Sequence, residues 1–270
     1  MFQSRSIAGA ALICAALATP SFADEAKPLP DQMILPTAWV QSSAEYRALT
    51  ISIYNMSKII LDMHLAKPSA KPKAIILDLD ETLLDNAPFQ AMTVAEQTGY
   101  PDGWFDWIDA AQAEATPGGL DFLNYADSKG VQIFYLSNRK NKGEREGPGL
   151  ENTLKNIVAL HFPQAEASHV YLRTGSSSKE ERRQAIMADH DVVMMFGDNL
   201  NDLSDDFRGG SVAERKAAVA AHVDEFGVSW IVLPNPMYGE WEGAMYSYNW
   251  GATQSEKSDM REAALKYWAR

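Results

Sequence analysis

One stretch of the chain, KAIILDLDETLLDN at residues 73–86, restricts the fold more than any other. Residues 74–77 are apolar and rich in β-formers, and acidic residues follow them at once. This pattern predicts a buried parallel strand with Asp78 and Asp80 at its carboxyl end, which is where open α/β sheets place their active sites. Two carboxylates one residue apart at such an edge indicate a metal site, an acid/base pair, or both.

The rest of the chain shows predicted strands that alternate with predicted helices. Apolar runs predict five strands, at residues 74–77, 131–136, 169–173, 191–196 and 229–233. Apolar residues at helical spacing predict helices at residues 42–65, 120–129, 151–160 and 178–188. Ser42 and Glu45 fit a capping box at the start of the first helix. This alternation favours the α/β class, with a doubly wound parallel sheet and right-handed crossovers.

The length and composition fit one domain. Of 270 residues, 46% are hydrophobic, so the chain is able to bury a substantial core. Residues 24–36 are polar and contain proline, which indicates an extended leader, and the aromatic-rich segment 87–119 is typical of a helical insertion. We expect one domain over residues 24–270. Its parts would be a small helical lobe from residues 37–70 and 87–119 and a core sheet from residues 73–86 and 120–240.

The first 23 residues have the pattern of a secretory signal peptide. Arg5 supplies a positive charge, an apolar run covers residues 7–18, and residues 21–23 form a small-x-small cleavage site. The apolar run is too short to span a membrane, and no other stretch approaches the necessary length. We therefore expect an exported protein, in the periplasm or outside the cell, whose mature chain begins near Asp24.

The position of the single cysteine bears on whether the chain carries a lipid anchor, and the net charge bears on which partners it is able to bind. The only cysteine, Cys14, lies in the predicted signal peptide behind Ile13, where a lipoprotein signal favours a small residue. We therefore expect a chain without an outer-membrane lipid anchor and, once processed, without disulfides. The net charge of −12 argues against nucleic-acid polymers and anionic lipid as partners, because binding them requires clustered lysine and arginine.

Other predicted strands also lead into polar residues, and these complement the two acids. They are Ser137 and Asn138 after the second strand, Lys179 at the start of the helix before the fourth strand, and Asp198 and Asp202 after the fourth strand. The carboxyl ends of parallel strands share one edge, so we expect all of them near Asp78 and Asp80. Three acids without cysteine or paired histidine favour Mg²⁺, and Ser137 with Lys179 would bind phosphoryl oxygens. The set fits phosphoryl transfer.

In order and spacing, these residues resemble the four motifs of the haloacid dehalogenase superfamily of phosphatases. The motifs correspond here to DLDET at residues 78–82, the strand that ends in Ser137, Lys179, and GDNLND at residues 197–202. Longer segments resemble more closely the bacterial class C acid phosphatases, the family of outer-membrane lipoprotein e. These segments are AWVQSSAEYRAL (38–49), LDLDETLLDN (77–86), FLNYADSKGVQIFYLSNR (122–139), KEERRQAI (179–186), FGDNLND (196–202) and LPNPMYGEWE (233–242).

The resemblance implies an Mg²⁺-dependent acid phosphatase that hydrolyses small phosphomonoesters, commonly nucleoside monophosphates. Asp78 would be the nucleophile that forms an aspartyl-phosphate, and Asp80 would protonate the leaving oxygen and then activate water. Ser137 and Lys179 would bind the phosphoryl group, with Asn138 beside them in the substrate site. The implied metal ligands are Asp78, the backbone carbonyl of Asp80, Asp198 and, in support, Asp202. The implied base-binding aromatic residues are Tyr238 and, opposite it, Tyr100 or Trp104.

Two other classes of protein share part of this pattern. A phospho-accepting signalling receiver also has a nucleophilic aspartate, a hydroxyl and a lysine on a similar sheet. A second acid such as Asp80 promotes turnover, however, whereas a receiver must retain its phosphoryl group. A non-catalytic exported binding protein, for haem as one example, has no need of the acid set, and no Cys-x-x-Cys-His motif is present. The sequence leaves the oligomeric state open, with a homodimer among the options.

Overall fold

The computed structural model describes residues 28–141 and 149–269, and its centre is a five-stranded parallel sheet. The strands of this sheet are β1 (Lys73–Leu77), β4 (Gln132–Lys140), β5 (Val170–Arg173), β6 (Asp191–Gly197) and β7 (Trp230–Val232). They lie in the order β5-β4-β1-β6-β7, and every neighbouring pair is parallel. A short antiparallel pair lies apart from this sheet, and its strands are β2 (Leu84–Asp85) and β3 (Glu114–Ala115).

Helices connect the strands and precede the first of them. In the described residues they are α1 (Leu29–Gln32), α2 (Ile34–Ser42), α3 (Ala44–Leu65), α4 (Ala87–Glu96), α5 (Trp104–Ala110), α6 (Gly119–Ser128), α7 (Gly149–Ala159), α8 (Glu180–Asp189), α9 (Val212–Ala221), α10 (Glu240–Met245) and α11 (Gln254–Ala263). Two 3₁₀ helices, Leu200–Asp202 and Asp205–Phe207, follow β6. None of the described helices combines the length and the apolar character needed to cross a bilayer. The predicted signal peptide at residues 1–23 lies outside the described residues.

Helices cover both faces of the sheet, because alternate side chains of each strand point to opposite sides. On one face, Ile75 and Leu77 of β1 belong to a core cluster with residues of α3, α6 and α7. On the other face, Ala74 and Ile76 pack with Ile186 of α8. This three-layer arrangement is a doubly wound α/β fold, so the predicted fold class is confirmed.

The capping residue of α3 lies one position after the predicted one, and the helix begins at Ala44, two positions after the predicted start. Ser43 is the N-cap, and its side chain accepts a hydrogen bond from the Tyr46 N–H at 3.0 Å. Ser42 is the last residue of α2 and does not cap α3. The capping box predicted for Ser42 and Glu45 is therefore wrong, because the chain bends between two helices at Ser43.

α3 packs against the sheet layer, although the sequence analysis places it in the helical lobe. The Tyr54 ring of α3 stacks on Phe122 and Phe196, with ring centroids 5.7 and 6.2 Å away. Gly118 permits the close approach, because a Cβ there would lie 3.1 Å from the Ile51 Cα and its φ is +89°. Elsewhere, α2 and α4 contact each other. The division of residues 24–270 into a lobe and a sheet stays a prediction.

The extended leader predicted for residues 24–36 is wrong from Leu29 onward, where α1 begins and α2 soon follows. Of the three prolines in this segment, Pro28 is the N-cap residue of α1, and Pro30 and Pro36 lie in the first turns of α1 and α2. The first N–H groups of a helix have no partner inside the helix, so proline is tolerated there. Proline content in this segment therefore marks helix starts.

Candidate active site

The adjacent strands β1 and β6 hold the first candidate residue in place. Asp78 follows β1 directly, is 6% exposed, and donates its N–H to the Phe196 carbonyl at 3.0 Å. The chain then turns tightly, because the Leu79 carbonyl accepts the N–H groups of Leu83 and Leu84 at 2.8 and 2.7 Å. The sequence therefore delivers Asp78 to the carboxyl edge of the sheet, as predicted from the apolar run of β1.

Three aspartates, Asp78, Asp198 and Asp202, form an acidic cluster in which one carboxylate oxygen of each lies within 4.8 Å of the others. The Asn235 side-chain amide donates to Asp198 at 2.8 Å, and the Asn199 N–H donates to Asp202 at 3.1 Å. Carboxylate oxygens gathered in this way are suitable ligands for a hard divalent cation. The structure thus brings together three of the four predicted metal-binding residues.

Lys179 bridges two members of the acidic cluster, Asp78 and Asp202. It is the N-cap residue of α8, and its side chain is 3% exposed. Its Nζ donates to Asp78 Oδ1 at 2.5 Å and lies 2.7 Å from Asp202 Oδ1. One ammonium against three carboxylates leaves the cluster short of positive charge. A divalent cation or a proton would supply the remainder.

The pKa values of the acidic cluster show the same shortage of positive charge. Burial raises the pKa of Asp78 to about 7, the Lys179 ammonium opposes the shift, and the charges of Asp202 and Asp80 add to it. Burial, followed by the charges of Asp202 and Asp78, raises the pKa of Asp198 well above its usual range. Burial lowers the pKa of Lys179, but the carboxylates of Asp202 and Asp78 outweigh burial and raise it.

Asp80 lies outside the acidic cluster and contacts a buried arginine. Arg139 donates from Nε and Nη2 to Asp80 Oδ1 at 2.9 and 2.7 Å. The Asn86 side-chain amide donates to the same oxygen at 3.0 Å. Because the Asp80 carboxylate has these partners, a metal-binding role for this residue would depend on its backbone carbonyl, which stays a prediction.

Ser137 lies beside Asp80 in a strand that continues beyond its predicted end. The sequence predicts that the strand stops at residue 136, whereas β4 runs to Lys140. Ser137 is fully buried, its Oγ accepts the Arg139 N–H at 3.0 Å, and the same oxygen donates to Asp80 Oδ2 at 3.3 Å. The hydroxyl is therefore part of the polar surroundings of Asp80.

Asn138 is exposed, and its side chain contacts other residues. Its Nδ2 donates to the Ser177 carbonyl at 2.9 Å, and its Oδ1 accepts from Arg182 Nη2 at 2.6 Å. Arg182 also donates to the Ser137 carbonyl at 2.8 Å. Asn138 thus links β4 to the loop before α8, and direct substrate binding by this residue stays a prediction.

The predicted aromatic residues lie in two separate groups. Tyr238 is partly buried and packs, as Trp39 does, against a small apolar cluster beside α2. Trp104 packs edge-on against Phe89 and Tyr100 at centroid distances of 5.0 and 6.1 Å, and Tyr100 is 66% exposed. No ring contact in the described part of the chain joins Tyr238 to Trp104 or Tyr100. A base-binding site between these two groups stays a prediction.

A family model described as HAD superfamily, subfamily IIIB (acid phosphatase) matches residues 10–241 of the chain. The chain belongs to this family. A solved class C acid phosphatase from Bacillus anthracis is 45% identical, and the match covers 90% of this chain and 100% of the other, with a TM-score of 0.85. A second structure of the class C acid phosphatase from that organism, with tungstate bound, matches with the same values.

This acid phosphatase is a phosphoric monoester hydrolase, so the predicted family and enzyme class are confirmed. Its family acts on small phosphoesters. Family membership over most of the chain favours the hydrolase over the signalling receiver and over the non-catalytic binding protein. The acidic cluster agrees with this class, because phosphatases of this superfamily typically use a divalent metal.

Three polar residues of the acid phosphatase site were not among the predicted ones: Asn86, Arg139 and Arg182. A usable signal exists for two of them. Arg139 lies two residues after Ser137 on one strand, so both side chains are on the same face. Arg182 lies three residues after Lys179 on α8, which also gives a shared face. Asn86 follows β2 as the N-cap residue of α4, and its sequence position alone does not indicate its contacts.

Proposed function

We propose that this acid phosphatase transfers the phosphoryl group of small phosphomonoesters to Asp78 and then to water, with nucleoside monophosphates as the preferred substrates. The observation that carries the proposal is the acidic cluster bridged by Lys179 at the carboxyl edge of the sheet. Phosphoryl transfer depends chiefly on positioning and on charge neutralisation. A buried carboxylate, a fixed ammonium and a set of cation-binding oxygens supply both at this one place.

The donor set of the acidic cluster suits Mg²⁺. Its ligand atoms are carboxylate oxygens, which hard cations prefer, and the cluster contains neither cysteine nor histidine. Asp78, Asp198 and Asp202 would hold the ion, with the backbone carbonyl of Asp80 as a further ligand. When bound, the ion would neutralise negative charge on the phosphoryl oxygens.

In the first half-reaction, a carboxylate oxygen of Asp78 attacks phosphorus and the bond from phosphorus to the leaving oxygen breaks. Lys179, which already contacts Asp78, binds phosphoryl oxygens together with Ser137 and holds the group in line. Protonated Asp80 gives its proton to the leaving oxygen. The products of this step are an alcohol, an acyl phosphate on Asp78 and an ionised Asp80.

In the second half-reaction, Asp80 acts as the base. Its carboxylate takes a proton from water as the water oxygen attacks phosphorus of the acyl phosphate. The bond from phosphorus to Asp78 breaks, inorganic phosphate leaves, and the Asp78 carboxylate is restored. Asp80 ends the cycle protonated, as it began, so protons and charges balance over the two steps.

Two observations support the substrate class. The relative from Bacillus anthracis binds tungstate, which is a tetrahedral oxyanion like phosphate. Tyr238 is partly exposed and would stack on a nucleobase, with Tyr100 or Trp104 as the opposite wall. Aromatic stacking at some distance from the phosphoryl group gives a preference for nucleoside monophosphates over small alkyl phosphates.

The proposal includes export of the enzyme. The pattern at residues 1–23 supports cleavage and release of a chain that begins near Asp24. Expression of the full chain in a bacterial host, followed by intact-mass measurement of the exported fraction, tests this part. A full-length chain retained in the cytoplasm would contradict it, without bearing on the catalytic part of the proposal.

The experiment for the catalytic proposal is phosphate release from nucleoside monophosphates and from alkyl phosphates, after EDTA treatment and after Mg²⁺ is returned. We expect activity only with Mg²⁺, and we expect Asp78→Asn to abolish turnover. Asp189→Asn, at an exposed carboxylate at the end of α8, is the matched control and should keep full activity. Undiminished turnover by folded Asp78→Asn protein would refute the assignment.

A further inference from the structure

Arg139 is a charged side chain in an environment that excludes water. It is 2% exposed, and a buried guanidinium is costly unless a carboxylate pairs with it. Its carboxylate partner is Asp80, to which it donates from both Nε and Nη2, so the pair is held at two points. We propose that Arg139 is the positioning residue for Asp80 and does not bind the phosphoryl group. The inference rests on the proposed function, in which Asp80 is the acid and base.

Asn86 completes the positioning of Asp80 from another side. It is fully buried, and its Oδ1 accepts the indole N–H of Trp107 at 2.8 Å. Because an indole N–H requires an acceptor, that contact assigns the amide oxygen to the Trp107 side. The amide nitrogen Nδ2 then donates to Asp80 Oδ1 at 3.0 Å. The Asn86 backbone N–H is held in turn by Glu81 Oε1 at 3.1 Å. Asn86 therefore has one available orientation.

The two oxygens of Asp80 have unequal surroundings. Oδ1 accepts three N–H groups at 2.7 to 3.0 Å, from Arg139 Nε, Arg139 Nη2 and Asn86 Nδ2. Among residues 28–141 and 149–269, the contacts of Oδ2 are longer: Arg139 Nε lies at 3.2 Å and the Ser137 hydroxyl at 3.3 Å. An oxygen surrounded by three donors has no room for a proton of its own. Arg139 and Asn86 thus leave Oδ2 as the oxygen that exchanges protons with the substrate and with water.

In the part of the chain that the structure describes, Arg139 has no second carboxylate partner that would replace Asp80. Its Nη1 is buried and has no hydrogen-bond partner among the residues that the structure describes. Trp104 of α5 also lies beside the guanidinium, with its ring 5.8 Å from the guanidinium carbon. The side-chain hydrogen bonds that Arg139 makes within the described residues all go to Asp80, so the guanidinium is oriented toward that carboxylate. The ring of Trp104, the first residue of α5, helps to hold the Arg139 guanidinium in this orientation.

The test separates proton donation from phosphoryl binding. A 4-nitrophenolate leaves without a proton, whereas an alkoxide requires one, so only the alkyl monoester depends on a positioned Asp80 in the first step. We would measure the first-step rate by rapid quench with 4-nitrophenyl phosphate and with an alkyl monoester. For Arg139→Met we expect a loss of about 10²-fold with the alkyl monoester and less than about 5-fold with the aryl ester. KM should stay unchanged for both.

Further variants keep the result decisive. Arg139→Lys retains the charge and loses the two-point contact, so it should give the same pattern with a smaller loss. Asn86→Ala, which removes no charge, should also lose more activity with the alkyl monoester than with the aryl ester. Arg261→Met removes a partly buried arginine from its pair with Glu242 outside the site and is the matched control, with no leaving-group dependence expected. Far-UV circular dichroism and thermal melts verify the fold of each variant.

The outcomes distinguish the two proposals. If Asp80→Asn shows no leaving-group dependence, the proposed acid role of Asp80 is wrong. If the rate of Asp80→Asn depends on the leaving group but the rates of the folded Arg139 and Asn86 variants do not, the positioning inference alone is wrong. Equal losses for both esters with a raised KM would make Arg139 a phosphoryl ligand and also overturn the inference. If the inference holds, Asp80→Asn/Arg139→Met is no slower than Asp80→Asn, because the two residues act as a unit.

Discussion

At the scale of single residues, the acidic cluster depends on a position where no side chain fits. A Cβ on Gly197 would lie 2.5 Å from the Asp202 Cβ and 2.6 Å from its Oδ2. Asp202 therefore occupies the volume next to the backbone at the end of β6. Any larger residue at Gly197 must displace Asp202 or the strand end, and both hold the cluster together.

Gly197→Ala should weaken cation binding while leaving the sheet intact. The added methyl group pushes Asp202 away from Asp78 and Asp198, so the cluster loses the spacing that suits one ion. We expect the affinity for Mg²⁺, measured by calorimetry on EDTA-treated protein, to fall by about 10-fold or more, as for residues that orient metal ligands. Gly175→Ala, where a Cβ meets no atom within 4 Å, is the control. Unchanged affinity in Gly197→Ala would show that Asp202 does not support the ion.

Single residues also show how far the sequence is informative. Asp78 and Asp198 were predictable, because each directly follows or ends an apolar strand and strand ends meet at one edge. The pairing of Arg139 with Asp80 was not, since a sequence does not show which of its charged residues are buried together. The two partners are 59 positions apart in the sequence, and only the fold brings them together.

At the scale of elements, α3 supports the turn that follows β1. The Tyr54 hydroxyl donates to the Thr82 carbonyl at 2.6 Å, and the Thr116 hydroxyl donates to the same carbonyl at 2.6 Å. Tyr54 is fully buried. The helix before the sheet and the segment before α6 therefore hold the same turn, which carries Asp80.

Tyr54→Phe should cost stability and activity together. The variant keeps the ring packing and removes one donor to the Thr82 carbonyl, so we expect a loss of about 1 kcal/mol in the free energy of unfolding. Tyr135→Phe removes a partly buried hydrogen bond of the same length, to the Pro163 carbonyl at 2.6 Å, from a buried tyrosine and is the matched control. In denaturant titrations both variants should lose stability, but kcat should fall only in Tyr54→Phe. Equal kcat in the two variants would contradict the supporting role of α3.

The elements themselves were predicted unevenly, for physical reasons. All five strands of the main sheet follow from apolar runs, because a strand buried on both faces has no polar side. The predicted start of α3 was wrong because Ser42 and Ser43 are equally suitable N-caps, and only the bend in the chain selects Ser43. β4 extends to Lys140 because two of its polar residues, Ser137 and Arg139, are buried against Asp80 of another segment, which an apolar run does not reveal.

At the scale of the whole molecule, an acidic chain with a net charge of −12 places several carboxylates in one buried site. The pKa of Asp78 is raised from 3.8 to about 7, and that of Asp198 is also raised. Between about pH 4 and pH 7, the folded protein therefore retains protons that the unfolded chain has lost. Stability from these groups is present below that window and is lost as pH rises through it.

EDTA-treated protein should consequently melt at a lower temperature at pH 7 than at pH 5. The acidic cluster has to ionise in the fold, which we expect to cost on the order of a few kcal/mol of unfolding free energy. Mg²⁺ at pH 7 should restore the melting temperature by neutralising the cluster. Asp78→Asn should flatten the pH dependence. A melting temperature that rises from pH 5 to pH 7 without metal would contradict this account of the cluster.

The central claim, that Asp78 accepts the phosphoryl group, has one direct measurement. Asp80→Asn protein is mixed with 4-nitrophenyl phosphate and Mg²⁺, quenched in acid and digested, and the peptide that contains residues 73–86 is mapped by mass spectrometry. Because the good leaving group needs no acid and the missing base slows hydrolysis, we expect one added phosphoryl group on Asp78. A phosphoryl group on another residue, or none while 4-nitrophenolate is still released, would contradict the claim.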